Sequence, residues 1–227
     1  MLRLSQSIAS QTVLARSVSL SSSASIAQMS TSTCDATVVQ PPLLINFVCT
    51  GNICRSPTAE IITRTFLYRA GLHHHVIVES SGTHGHDGWS ADFRSNIAAS
   101  KEGFSLSSHK ARKFSTSDFE RCDFIFALDA GHADWLRRAA PTPVAAAKVA
   151  LAMSTAIDTT RRAENIVDPY YDDTEAFTAV VEQCIHAATG LVATLVNADV
   201  TWRANPTNTT TTTTTLRNAL TNAISLH

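Results

Sequence analysis

The sequence predicts an α/β fold in which a parallel sheet is covered by helices on both faces, with an anion-binding loop between the first strand and the first helix. Three observations carry this. Short apolar runs at 43–48, 76–78 and 124–128 alternate with segments of helical periodicity, the pattern of strands joined by crossover helices. The run at 43–48 is almost continuously apolar, as suits a strand buried on both sides. Immediately after it come Cys49 to Arg55, containing Gly51 and Asn52, and then Ser56-Pro57 at the start of a helical segment. A strand–loop–helix of this kind lets loop amides converge on an anion while the helix dipole adds positive potential.

The elements follow in order. After the strand at 43–48, Ser56 reads as an N-cap with Pro57 at the first helical position. Ala59, Ile62, Phe66 and Leu67 give that helix its apolar stripe, and Gly71 stops it. A second strand covers 76–78. Residues 92–101 and 117–121 read as helices and 124–128 as a third strand. Asp129 caps a helix over 131–138. The apolar run at 144–153 suits either type of element. Thr174 caps a long last helix, with Phe177, Val180, Val181, Cys184, Ile185, Ala188, Leu191 and Leu195 near one face.

Composition sets the bounds. A chain of 227 residues, 44% hydrophobic, suits one domain with tails. A net charge of -1 argues against a general nucleic-acid surface. No apolar run approaches the roughly 20 residues of a membrane span, so no membrane partner is expected. Five scattered cysteines do not suit a secreted disulfide framework, and Cys122 and Cys184 read as small buried hydrophobes. Three regions are expected: a leader at 1–40, a folded domain at 41–200 and a Thr-rich flexible tail at 201–227. The leader carries Arg3 and Arg16 and no acid before Asp35, a composition similar to mitochondrial transit peptides. A mitochondrial or cytoplasmic location is expected accordingly. In the tail, the threonine run at 209–215 offers no apolar periodicity, and a helix over 216–226 would have little to pack on.

The loop carries the chemistry. Gly51 allows positive φ and Asn52 tolerates it, so the loop can curl into a nest of N–H groups. Cys49 would then lie at the floor of the cup and Arg55 at its wall, where a planar guanidinium matches two phosphate oxygens. A helix N-terminus and a nearby cation favour a thiolate, which makes Cys49 a candidate nucleophile. The Ser56 hydroxyl can donate to its sulfur.

Residues 48–60, Val-Cys-Thr-Gly-Asn-Ile-Cys-Arg-Ser-Pro-Thr-Ala-Glu, resemble the signature of low-molecular-weight protein tyrosine phosphatases. The resemblance continues through Ser81-Gly82-Thr83, Asp92-Phe93-Arg94, the strand leading to Asp129, and Asp168-Pro169-Tyr170-Tyr171, and it covers about 43–196. It implies a four-stranded parallel sheet flanked by helices and a phosphate loop made by Thr50, Gly51, Asn52, Ile53, Cys54 and Ser56. It assigns Asp168 as general acid, and Tyr170 and Tyr171 as a wall of the substrate pocket. A phenol titrates near 10, so its phenolate leaves readily only if protonated; the acid answers that need. Phosphotyrosine-containing proteins or small aryl phosphates are the expected substrates. Many members of this family also carry both loop cysteines, which implies a redox role for Cys54 beside Cys49.

Two departures bear on specificity. The segment His84 to Trp89 is one residue shorter than usual, which leaves either His86 or Trp89 for the opposite wall. Glu102-Gly103 stands where the family often has a histidine supporting the loop asparagine, so the support of Asn52 is left open. No metal or cofactor is expected: His73 to His75 and the His84/His86 pair lack the ligand count of a closed site. Three other activities share the scaffold. Arsenate reductases need a closely spaced resolving pair, which does not follow Cys122. Protein-arginine phosphatases share Thr50, while Tyr170-Tyr171 favours phosphotyrosine. An inactive phosphotyrosine-binding module would be expected to lack Cys49, Arg55 or Asp168, and all are present. The oligomeric state is not indicated.

Overall fold

The structure is a computed structural model that describes residues 41–204 and 212–225. The leader at 1–40 lies outside the described residues. The sheet has four parallel strands, β1 (Leu43–Cys49), β2 (Val76–Gly82), β3 (Phe124–Ala127) and β4 (Val149–Leu151), in the order β2-β1-β3-β4. The helices are α1 (Arg55–Arg69), α2 (Phe93–Lys101), α3 (Thr116–Arg121), α4 (Ala130–Ala139), α5 (Pro143–Ala146), α6 (Thr174–Ala204) and α7 (Thr212–Ser225).

The pleat explains why β1 reads as almost continuously apolar. Leu43, Ile45, Phe47 and Cys49 face a core shared with α1, α6 and α7, and Val48 faces a second core under α3 and α4. β3 divides the same way: Phe124 and Phe126 enter the first core, Ile125 and Ala127 the second. Both faces are covered, so both must be apolar. The ambiguous run at 144–153 contains the short helix α5, then β4 and a 3-10 turn at Ala152–Thr155.

Several local expectations need correction. Ser56 is not the cap of α1; Cys54 precedes the first helical residue, Arg55, and Ser56 is released to serve the loop. Gly51 does not adopt positive φ, whereas Asn52 does, at 56°. Asp173, not Thr174, caps α6, its Oδ1 accepting from the Ala176 amide. Residues 174–201 of α6 are long and apolar enough, by length and composition, to cross a membrane. Here that apolarity is spent on the core, where Phe177, Val181, Cys184, Ala188, Leu191 and Leu195 are buried.

The largest correction concerns the tail. Residues 201–204 extend α6, and residues 212–225, expected to be flexible, form α7. Leu216 and Leu220 of α7 are fully buried in the first core. Arg217 binds Asp123 at 2.7 Å. Burial of each leucine stabilises by about 1.5–3 kcal/mol, enough to outweigh the poor helix propensity of a few threonines.

Candidate active site

The C-terminal ends of β1, β2 and β3 place the loop. β1 delivers Cys49, and α1 begins six residues later at Arg55. Gly82 at the end of β2 lies directly beneath: a Cβ there would stand 2.5 Å from the Thr50 carbonyl oxygen, so any side chain would push the loop out of place.

The sulfur of Cys49 lies 3.0 Å from Ser56 Oγ and accepts the Asn52 amide at 3.3 Å. Both groups can donate to a thiolate at this position. The Ser56 hydroxyl has one hydrogen and two candidate acceptors, Cys49 Sγ and the Ser81 carbonyl at 3.2 Å. A thiolate is the stronger acceptor and takes it.

Asn52 holds the cup shut. Although fully buried, its side chain donates to Ser56 Oγ and Ser80 Oγ at 2.9 and 2.8 Å and accepts from the Arg112 amide at 2.8 Å. His109 Nε2 donates to the Asn52 carbonyl at 2.7 Å. The support left open by Glu102-Gly103 is therefore supplied by Ser80, Arg112 and His109. Each contact compensates a buried polar group, without which the left-handed backbone at Asn52 would be costly.

Arg55 is 3% exposed, and both terminal nitrogens of its guanidinium are engaged. Nη1 donates to Asp129 at 2.7 Å and to the Ile166 carbonyl at 3.4 Å; Nη2 donates to Asp168 at 2.6 Å and to Thr50 Oγ1 at 3.2 Å. A buried cation needs this degree of pairing. Burial alone would raise the Asp129 carboxyl. The nearby His132 ring, the hydrogen bond from the His132 amide and the Arg55 guanidinium together outweigh burial and hold it well below the usual carboxylate range.

Above the loop a cleft of about 310 Å³ opens to solvent. Cys49, Arg55 and the loop form its floor, Asp168, Tyr170 and Tyr171 one wall, and His84, His86 and Trp89 the other. The choice between His86 and Trp89 resolves to both: their rings stack with centroids 4.3 Å apart. Tyr170 is held from behind by Arg94, whose guanidinium lies 5.4 Å from its ring centroid and 4.5 Å from that of Phe177. Asp92 fixes Arg94 through contacts of 2.8 and 3.1 Å. Cation–π support of this kind steadies an aromatic wall. Tyr171, by contrast, is 94% exposed and touches the site through its edge-to-face contact with Tyr170 at 5.0 Å.

All the expected site residues thus meet around one cleft, except that Asn52 and Ser56 lie behind the loop as its scaffold. Asp129 was legible only as a helix cap, and its pairing with Arg55 was missed. Also missed were His132 and His109. A signal existed for the first two: β3 runs beside β1 in parallel, with Val48 opposite Ala127, so the loops following both strands must meet at one edge.

Glu79, Asp118 and Cys122 lie close enough together to suggest cation ligands. They do not fit a metal: Arg112 and Arg121 pair with both carboxylates, and burial pushes the Cys122 thiol up to about 12.

A thiol delivered by a central strand into an amide-lined cup, with an arginine closing it and a carboxyl opposite, defines a cysteine-dependent phosphatase. Over residues 44–201 the chain matches the family described as low molecular weight phosphotyrosine protein phosphatase, and it belongs to that family. A low molecular weight protein-tyrosine-phosphatase of Streptomyces coelicolor is 45% identical over 148 residues, covering 65% of this chain and 90% of that one. The human low molecular weight phosphotyrosine protein phosphatase is 31% identical over 140 residues, covering 61% and 87%. Among solved structures, a protein tyrosine phosphatase from Entamoeba histolytica, crystallised with Hepes in its active site, superposes with a TM-score of 0.63 at 28% identity. The match covers 68% of this chain and 97% of that one.

Proposed function

We propose that this enzyme hydrolyses phosphotyrosine in proteins or small aryl phosphates through a phosphocysteine intermediate. The observation that carries the reading is the cleft itself: Cys49 lies at the bottom of a pocket whose walls are Tyr170 and the His86–Trp89 stack. Flat walls suit a flat leaving group, which favours phosphotyrosine over phosphoserine.

In the first step the Cys49 thiolate attacks phosphorus. The sulfur–phosphorus bond forms, the bond to the phenol oxygen breaks, and Asp168 gives that oxygen its proton. In the second step water attacks phosphorus, Asp168 takes a proton from it, and the sulfur leaves as thiolate. Arg55 and the loop amides hold the phosphoryl oxygens throughout. The purified protein is expected to turn over phosphotyrosine in the presence of EDTA, with competitive inhibition by vanadate and inorganic phosphate. A strict requirement for an added divalent ion would overturn the mechanism.

We also propose reversible oxidation of the two loop cysteines, both of which line the cleft. Cys54 is 4% exposed, and burial, opposed by a hydrogen bond with Ser95, pushes its thiol up to about 12. On the proposed reading Cys49, at the floor of the open cleft, is the sulfur that attacks peroxide: it takes up one peroxide oxygen as sulfenic acid, and the other leaves as water. Condensation with the Cys54 thiol releases a second water and forms a disulfide. After brief peroxide treatment, dithiothreitol is expected to restore the wild type and to restore Cys54→Ser poorly. Equal recovery, with no Cys49–Cys54 linked peptide by mass spectrometry, rules the switch out.

A further inference from the structure

Arg55, Asp129, His132 and Thr50 form a closed ring of contacts behind the phosphate cup. Arg55 Nη1 donates to Asp129 Oδ2 at 2.7 Å, and Arg55 Nη2 donates to Thr50 Oγ1 at 3.2 Å. His132 completes the circuit: its Nε2 lies 2.8 Å from Thr50 Oγ1 and its Nδ1 2.9 Å from Asp129 Oδ1. The second contact is off the line of a hydrogen bond, so it is electrostatic; the His132 amide makes the aligned bond to the same oxygen, at 2.8 Å. The His132 side chain is only 8% exposed, so water does not substitute for either partner.

In a neutral imidazole whose Nδ1 carries the hydrogen toward the Asp129 anion, Nε2 is an acceptor. The Thr50 hydroxyl then donates to His132, and its lone pairs face Arg55. Without an acceptor at His132 the hydroxyl is free to turn, and its hydrogen can oppose the guanidinium instead of its oxygen receiving it.

We propose that His132 is a positioning residue for phosphate binding: by orienting the Thr50 hydroxyl it holds the Arg55 guanidinium square to the cup. The need arises in the liganded state. Phosphate and Asp168 compete for Arg55 Nη2, and Asp168 is the more exposed partner, with half its side chain open to solvent. Once phosphate has displaced it, Thr50 on one side and Asp129 with the Ile166 carbonyl on the other are the contacts that still fix the plane of the fork. Bidentate recognition depends on that plane. The inference rests on the phosphatase reading, but phosphate binding tests it without turnover.

Two substitutions separate the links. His132→Gln places an amide oxygen near the position of Nε2 and can still accept from Thr50. His132→Asn places an amide near Nδ1 and falls short of Thr50. The affinity for inorganic phosphate, read from the shift of melting temperature with phosphate concentration, and kcat/KM on p-nitrophenyl phosphate are measured for both, for Thr50→Val and for the double variant. His132→Asn and Thr50→Val are expected to lose about tenfold in each quantity, the scale of one hydrogen bond serving a charged group. His132→Gln should stay within about threefold of wild type, and His132→Asn should add nothing in the Thr50→Val background. Multiplying losses in the double variant, or equal losses in His132→Gln and His132→Asn, overturn the proposal, as does an unchanged phosphate affinity in His132→Asn. If the wild type binds phosphate yet hydrolyses no aryl phosphate, the functional reading fails while the binding arm still decides the role of His132.

Discussion

Replacing Cys49 by serine is expected to lower turnover of phosphotyrosine by at least about 10⁴-fold, the scale seen when a nucleophile is removed from an intact site, while phosphate affinity changes little. The cup explains the split. Phosphate is held by loop amides and Arg55, and Arg55 keeps Asp129 and Thr50 as partners whatever stands at position 49. Attack depends on a negatively charged atom at the floor. The Asn52 amide and Ser56 hydroxyl lie 3.3 and 3.0 Å from Cys49 Sγ, and a serine hydroxyl in its place is a far weaker acid and nucleophile than a thiol. The serine side chain is also smaller and leaves the oxygen further from phosphorus. Single-turnover kinetics with phosphotyrosine, alongside phosphate-dependent melting shifts, check both halves. Substantial turnover by Cys49→Ser would mean that the reaction does not pass through a covalent cysteine intermediate.

What was legible in the sequence is what lies close along the chain. The strand, the loop and the helix start occupy adjacent residues, and their chemistry needs few long-range partners to be recognised. The contacts that hold the loop in shape are remote. Arg112 reaches Asn52 across 60 positions and His132 reaches Thr50 across 82; neither spacing leaves a local pattern. Ser56 shows how a local rule can mislead. Its type and its neighbour Pro57 fit an N-cap, but the hydroxyl is engaged with Cys49 and Asn52, and the helix begins one residue earlier. The final helix shows the opposite error. A threonine run lacks periodicity by itself, yet Leu216 and Leu220 are four apart and fall on one face. That pair finds a groove beside α6, and tertiary packing, not propensity, decides the helix.

Replacing Asp168 by asparagine is expected to lower kcat on phosphotyrosine by roughly 10²–10⁴-fold, the usual range for a general acid. The loss should shrink as the leaving phenol becomes more acidic. The geometry sets up this dependence. Asp168 stands on the wall opposite the loop, next to Pro169, which restricts its backbone, and its Oδ1 accepts the Tyr170 amide at 3.3 Å. It is therefore tied to a residue that walls the cleft, the position the proposed acid needs. Its other oxygen is bound by Arg55 at 2.6 Å, so on the proposed reading phosphate and Asp168 compete for that nitrogen. Asparagine keeps the shape but has no proton to give. It also weakens the competition for Arg55, so KM should hold steady or fall while kcat drops. That pattern separates loss of an acid from general damage to the pocket. A series of aryl phosphates with phenols of graded acidity measures the effect: a plot of log kcat against leaving-group pKa should be shallow for wild type and steep for Asp168→Asn, the lines converging for the most acidic phenols. Parallel lines, with an equal loss for every leaving group, would show that the proton comes from elsewhere and that Asp168 serves only to hold Arg55.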